Sequence, residues 1–317
     1  KEAKKAGADA AKFQHFSADT IVSNDSFKKF KKLSHQALWK ESVYEVYSKA
    51  SLNLSWTPIL KKECDKIGID FFTSPYSFDL VDHVDKYVPA YKIGSGDITY
   101  LEIIKKIATK KKPVILATGA STLKDVDRAV KEIFKSNKDI CLMQCNTNYT
   151  AEDNNFNHIN LNVLKTFKQR YPKIILGLSD HTFGHSTVLG AITLGARMVE
   201  KHFTDNNNRE GPDHKFSMNP KSWKEMVERS RELENSLGSG KKIIERNENE
   251  TVILQRRSIR AKSKLPKGLK LKSSDLISLR PCPSNGLTPF EIKKVVGKTL
   301  KKNIKKGDIV KWEDLKP

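Results

Sequence analysis

Seven short apolar runs punctuate the first two-thirds of the chain, at 8–14, 69–74, 90–95, 113–119, 140–146, 174–179 and 198–204. Their apolar character on both sets of alternate positions suits strands buried on two faces. Between them lie stretches of helical period. Leu101, Ile104 and Ala108 share one stripe over 101–109, and Val126, Val130 and Phe134 share another over 123–134. The stretch 186–195 follows the same logic. Strand and helix in alternation imply a parallel sheet, and about seven such units favour a barrel over an open sheet. A (β/α)8 TIM barrel closes on eight strands. Here a helix end over 1–7 leads straight into the first run, so the count is one short. Seven strands leave two edges unpaired. The expected fold is therefore a TIM barrel whose first strand would precede Lys1.

After Leu237 the pattern changes. Gly238-Ser239-Gly240 and the polar run 245–250 read as a linker over 238–250, which bounds a barrel domain at 1–237. Beyond it, short strands are expected at 258–261, 269–271, 277–279 and 309–312. LPKGLKLKSSDL and IKKGDIVKWEDL repeat one phrase: basic turn, Gly, strand, Asp-Leu. The segment 251–317 thus reads as a small, internally similar β-rich domain.

Composition narrows the class. At 38% hydrophobic and 30% charged residues the chain is globular, and no apolar run reaches the roughly 18 residues of a membrane span. Its four cysteines form no CxxC pair and no metal-ligand spacing, which points to a reduced cytoplasmic setting. The net charge of +21 is spread over every predicted helix and loop. A nucleic-acid binder would gather it on one face with interleaved aromatics. Attraction of small anionic substrates fits the spread better.

In such a barrel chemistry sits at the C-terminal ends of the strands. The first run delivers Lys12 and Gln14, and a lysine inside an apolar strand requires an anionic partner. The second ends at Ser74. YKIGSGD brings Lys92, Ser95 and Asp97 beside glycine N–H groups able to cradle an anion. LATGAS brings Thr118, and QCNTNY brings Thr147 and Tyr149, neutral hydrogen-bonding groups suited to a polyhydroxylated or amide-bearing ligand. GLSDHT ends in Ser179 and His181. VEKHFT sends Glu200 and His202 to one side and Lys201 to the other. Two imidazoles at one rim, with oxygen ligands completing the shell, suit manganese or magnesium more than zinc. Asp213, in the charged loop REGPDHKFSMNP, is placed to bring a carboxylate over the site.

AYKIGSGD, ILATG, ILGLSDHT, VEKHFTD and GPDHKFSMNP, in this order and spacing, resemble the sialic acid synthase family. SIRAKSKLPKG and LRPCPSNGLTP resemble its C-terminal antifreeze-like (SAF) domain. The resemblance spans essentially the whole chain. It implies condensation of phosphoenolpyruvate with an N-acyl amino sugar, N-acetylmannosamine first. A legionaminic-type or other ketulosonic acid product, or an inactive carbohydrate-binding relative, is the alternative. It implies a homodimer in which each antifreeze-like domain caps the partner's barrel. By the same resemblance His181 and His202 are manganese ligands. Lys12, Ser74, Lys92, Ser95 and Ser179 hold phosphoenolpyruvate. Gln14, Tyr149, Glu200 and Asp213 are sugar or catalytic positions, and Arg280 reaches into the neighbouring barrel. Asp97 stands where some members have Glu. Ala117 replaces a phosphate-binding Ser, for which Thr118 is the expected substitute, and Thr147 replaces an Asn.

Overall fold

A computed structural model of the chain describes residues 1–29, 36, 39–150 and 152–316. They divide into two compact units, Lys1–Gly238 and Ser239–Pro317. Among the described residues no helix is long and apolar enough to cross a membrane.

Each of the seven apolar runs contributes a strand to the first unit. These are β1 (Ala10–His15), β2 (Asp70–Pro75), β3 (Tyr91–Ile93), β4 (Val114–Ala117), β5 (Ile140–Cys145), β6 (Ile175–Asp180) and β7 (Ala196–Lys201). They form one parallel sheet in chain order, β1 to β7. The helices between them start and stop on local signals. Thr122 accepts from the Asp125 N–H while the Asp125 carboxylate accepts from the Thr122 N–H, a capping box opening the Leu123–Phe134 helix. Gly68 closes the Trp56–Ile67 helix with φ +69°, a left-handed conformation that favours glycine.

Two apolar layers follow from the strand alternation. One side chain set, including Phe71, Tyr91, Leu116, Leu142 and Leu178, is buried in the same core as Val81, Ile103, Ile104 and Val130 of the helices. The other set fills the inside of the curl, where Ile115, Cys141 and Met143 pack with Phe72 and Met198. The curl is tight. A Cβ on Gly177 would sit 2.9 Å from the Met198 carbonyl oxygen and 3.0 Å from Met143.

The sheet curls far enough for its edge strands to meet through side chains. Lys12 of β1 reaches Glu200 of β7 at 2.8 Å. The backbones of β1 and β7 do not pair, and residues of both border a cleft of about 960 Å3. The fold is the expected TIM-like barrel, with seven strands among the described residues.

At the end of β1, His15 is fully buried and held by threonines. Thr73 donates its hydroxyl to the Phe13 carbonyl, so it accepts from His15 Nδ1–H at 2.8 Å. His15 Nε2 then accepts from the Thr57 hydroxyl at 2.8 Å, and His83 Nε2–H donates to Thr57 at 3.0 Å. This network needs a neutral His15, and burial pushes its pKa down to about 4. The unfolded chain therefore binds the proton first, and stability falls as pH drops from about 6.5 towards 4. Between pH 7 and 4.5 the protein should lose about 2 kcal/mol more than a His15→Asn variant. Urea unfolding at both pH values measures the difference.

The second unit has its own core, built from Ile259, Leu265, Leu271, Leu300, Ile304 and Val310 among others. Its two-stranded antiparallel sheet pairs β8 (Ser258–Ala261) with β9 (Leu276–Leu279). The runs 269–271 and 309–312 form single bridges, Lys270 to Thr299 and Arg260 to Ile309, and not strands. Both adjoin a glycine at positive φ, Gly268 or Gly307, so the chain turns before a ladder can extend. The repeated phrase has a structural counterpart: Leu265 and Ile304 exchange backbone hydrogen bonds of 2.9 Å in both directions. The polar run read as linker ends in a helix, Asn249–Gln255.

Candidate active site

Eight of the expected residues form two groups of direct contacts in the barrel interior or at its rim: Lys12, Lys92, Ser179 and Glu200, and Tyr149, His181, His202 and Asp213. Lys12 Nζ and Lys92 Nζ both donate to Glu200 Oε1, at 2.8 and 3.0 Å. The anionic partner that Lys12 requires is thus Glu200, from the opposite edge of the sheet. Lys92 is only 2% exposed, so its charge depends on this carboxylate. The two ammonium groups hold the Glu200 carboxyl well below the usual carboxylate range against the opposing effect of burial. Ser179 Oγ lies 3.5 Å from the same oxygen. Among the described residues Glu200 Oε2 and Ser74 Oγ are buried without a hydrogen-bond partner. Buried orphans of this kind are uncommon, and both would be satisfied by a polar ligand in the barrel mouth.

The imidazoles converge beside this cluster. His181 and His202 ring centroids are 5.3 Å apart, and Tyr149 packs against His181 with its ring tilted, centroids 4.2 Å apart. His181 Nδ1–H donates to the Asn146 carbonyl at 2.7 Å, which fixes the ring and leaves the Nε2 lone pair free. Burial and the adjacent His202 push its pKa down to about 4, so the ring is neutral at pH 7. His202 Nδ1 lies 3.4 Å from Asp213 Oδ2, which sets the loop carboxylate against the imidazole pair.

A resident divalent ion is testable against this donor set. Among the described residues no group of three or more His, Cys, Asp or Glu side chains is gathered to hold a metal. Two oriented imidazoles, one of them neutral with a free Nε2, fit an ion that takes its remaining ligands from water and substrate.

Other groups are arranged around these. Ser95 Oγ accepts from the Gly119 N–H at 2.9 Å. A Cβ at Gly119 would fall 2.5 Å from Thr147 and 2.9 Å from Ser95 Oγ, so glycine is required where these three segments touch. Asp97 ends the short 3-10 turn Ser95–Asp97, and burial pushes its pKa up to about 6. Gln14 Nε2 donates to the Tyr76 hydroxyl at 2.9 Å. Thr118 spends its hydroxyl proton on the Met143 carbonyl at 2.9 Å, so it has no donor left for a phosphate oxygen. Arg280 lies in the second unit, where its Nε donates to the Gln255 carbonyl at 2.7 Å.

Three residues of this neighbourhood escape the sequence reading. Tyr76 follows Ser74-Pro75 directly, and its hydroxyl stands 3.0 Å from the position a Cβ on Gly94 would take. Phe216 is buried and packs on His202 at 5.0 Å, completing an aromatic wall with Tyr149. Cys145 lies beside Ser95 and Ser179, and burial raises its pKa. Only Tyr76 had a signal, its place just past a strand end.

Comparison with known proteins gives the family. The profile of the NeuB family matches residues 1–242. The chain belongs to the NeuB family. A SAF domain matches residues 256–316. The N,N'-diacetyllegionaminic acid synthase of Legionella pneumophila is 34% identical over 99% of this chain and 88% of its own length. A pseudaminic acid synthase of Campylobacter jejuni is 34% identical over 99% of this chain and 90% of its own. The crystal structure of the N-acetylneuraminic acid synthetase of Leptospira borgpetersenii superposes with a TM-score of 0.69 at 25% identity, covering 79% of this chain and 82% of that one. As a NeuB-family synthase the protein is a carbon–carbon bond-forming transferase, and its family function is nonulosonic acid synthesis.

Proposed function

We propose that this NeuB-family barrel condenses phosphoenolpyruvate with the open-chain form of an N-acyl amino sugar, giving a nonulosonic acid and phosphate. The observation that carries the reading is the convergence of Lys12 and Lys92 on one oxygen of Glu200, beside two imidazoles 5.3 Å apart. Two lysines sharing one carboxylate are poised for a ligand carrying a carboxylate and a phosphate. Holding both reactants in place can lower the barrier by up to roughly 7–11 kcal/mol.

The bond changes follow from the two reactants. C3 of phosphoenolpyruvate attacks the aldehyde carbon, a C–C bond forms, and the carbonyl oxygen takes a proton. The cationic C2 takes water, which loses a proton. The bond from C2 to the bridging oxygen then breaks, phosphate leaves with that oxygen and takes the proton of the C2 hydroxyl, and C2 becomes the ketone. Asp97, with its pKa near 6, exchanges protons readily close to neutral pH. Gln14, Thr147 and Tyr149 offer the acceptor amide and hydroxyl partners, with Asp213 at the rim. A divalent ion held by His181 and His202, manganese by the family resemblance or magnesium, would supply Lewis acidity when bound. The resemblance also implies a homodimer in which Arg280 comes from the partner copy.

The relatives are named for N,N'-diacetyllegionaminic, pseudaminic and N-acetylneuraminic acids, so N-acetylmannosamine and diamino sugars are the acceptors to try first. Phosphate release from phosphoenolpyruvate with manganese, measured across these acceptors, tests the proposal. Release that depends on one acceptor class supports it and names the product. Release with none of them overturns it.

A further inference from the structure

The strands that carry the candidate groups alternate them with a second set facing the opposite way. Ser179 and His181 flank Asp180, and Glu200 and His202 flank Lys201. Asp180 and Lys201 are register partners on β6 and β7, and their side chains point away from the site into the layer beneath the Ser186–Thr193 helix. Their carboxylate and ammonium are 2.5 Å apart, with side chains 0% and 2% exposed. Every remaining polar atom of the pair is engaged. Asp180 accepts from the Thr182 N–H at 3.2 Å and from the Thr187 hydroxyl at 2.7 Å, and Lys201 also donates to the Thr182 carbonyl at 2.6 Å.

This pair sits on a ladder whose register is irregular. The β6–β7 ladder shifts between Leu176 and Gly177, and among the described residues β7 pairs with β6 alone. A slip of one residue would turn Lys201 into the barrel beside Lys12 and Lys92 and send Glu200 and His202 outward. A buried ion pair that forms in only one alignment can specify that alignment even when it adds little stability. We propose that Asp180 and Lys201 are positioning residues, a register pin that sets Glu200 and His202 across from Ser179 and His181. The catalytic meaning of the pin rests on the proposed function; the pin itself does not.

The test separates register from stability. Lys201→Met alone strands a buried carboxylate and can unfold the chain, so the main variant is Asp180→Asn with Lys201→Met, neutral and nearly isosteric. Asp180→Asn alone, which keeps acceptors for Thr182, is the second. Three readouts are taken on the full chain: thermal unfolding, histidine ring signals by NMR in metal-free protein, and acceptor-dependent phosphate release. The His181 and His202 signals are assigned by single His→Gln variants. The double variant should unfold within about 5 °C of the unmodified protein, in line with neutral replacement of buried pairs. Its His181 and His202 signals should move or double, and kcat should fall at least tenfold with a smaller change in KM. Asp180→Asn should show the same displacement in part, and it decides the matter if the double variant does not fold. Unchanged signals in whichever variant folds overturn the pin. Should the unmodified protein release no phosphate with any acceptor, the proposed function fails while the ring signals still decide the pin.

Discussion

Glu200→Gln is expected to lower folding stability by about 3 kcal/mol and turnover by at least two orders of magnitude. The stability loss comes from Lys12 and Lys92, which lose their shared counter-charge, Lys92 in a nearly fully buried position. Removing one partner from such a pair costs about 3–5 kcal/mol because the other charge stays buried. The pH dependence has a definite sign. Glu200 titrates lower in the folded state, so its contribution is complete above the ordinary carboxylate range and is lost as pH falls below it. The variant should lack that acid-side loss. Inorganic phosphate should raise its melting temperature more than it raises that of the unmodified protein, since both lysines are then free to bind an anion. Unchanged stability together with an unchanged phosphate response would show that the lysines do not depend on Glu200.

The second large effect belongs to the imidazoles. His181→Ala and His202→Ala should each reduce kcat at least about 100-fold, because loss of partners that merely orient a metal ligand already costs about 10- to 100-fold. Each should also weaken manganese binding, read by the free-ion signal in electron paramagnetic resonance. The fold should persist, since the strand hydrogen bonds of β6 and β7 do not pass through either ring. Full activity in either variant, with no metal added, would remove the imidazoles from the chemistry.

Much of the barrel was legible because its strands are apolar on both faces and its helices amphipathic, and each signal survives without tertiary context. The convergence of His181 and His202 was legible for the same reason: both stand at strand ends on facing positions. The Lys12–Glu200 contact joins the two edges of the sheet, and only a curled sheet brings them together. Phe216 lies in a loop whose path is set by contacts such as those of Asn207 with the His214 and Ser217 carbonyls, so no local periodicity marks it. Thr118 looked like a free hydroxyl because sequence does not show which carbonyl it will meet. In the second unit, strands were expected where the chain forms single bridges, because lysine-rich turns at Gly268 and Gly307 cut the ladders short. The Asn249–Gln255 helix starts inside the run read as linker, because Asn249 and Glu250 continue its polar composition and only residues 251–255 turn apolar.

The most direct measurement follows the three carbons of the donor. Phosphoenolpyruvate labelled with carbon-13 at all three positions is incubated with the accepted sugar, manganese and the protein, and the products are weighed by mass spectrometry. A sugar acid carrying all three labelled carbons, formed in equal amount with phosphate, is the expected result. Labelled pyruvate and phosphate without the longer acid would contradict it.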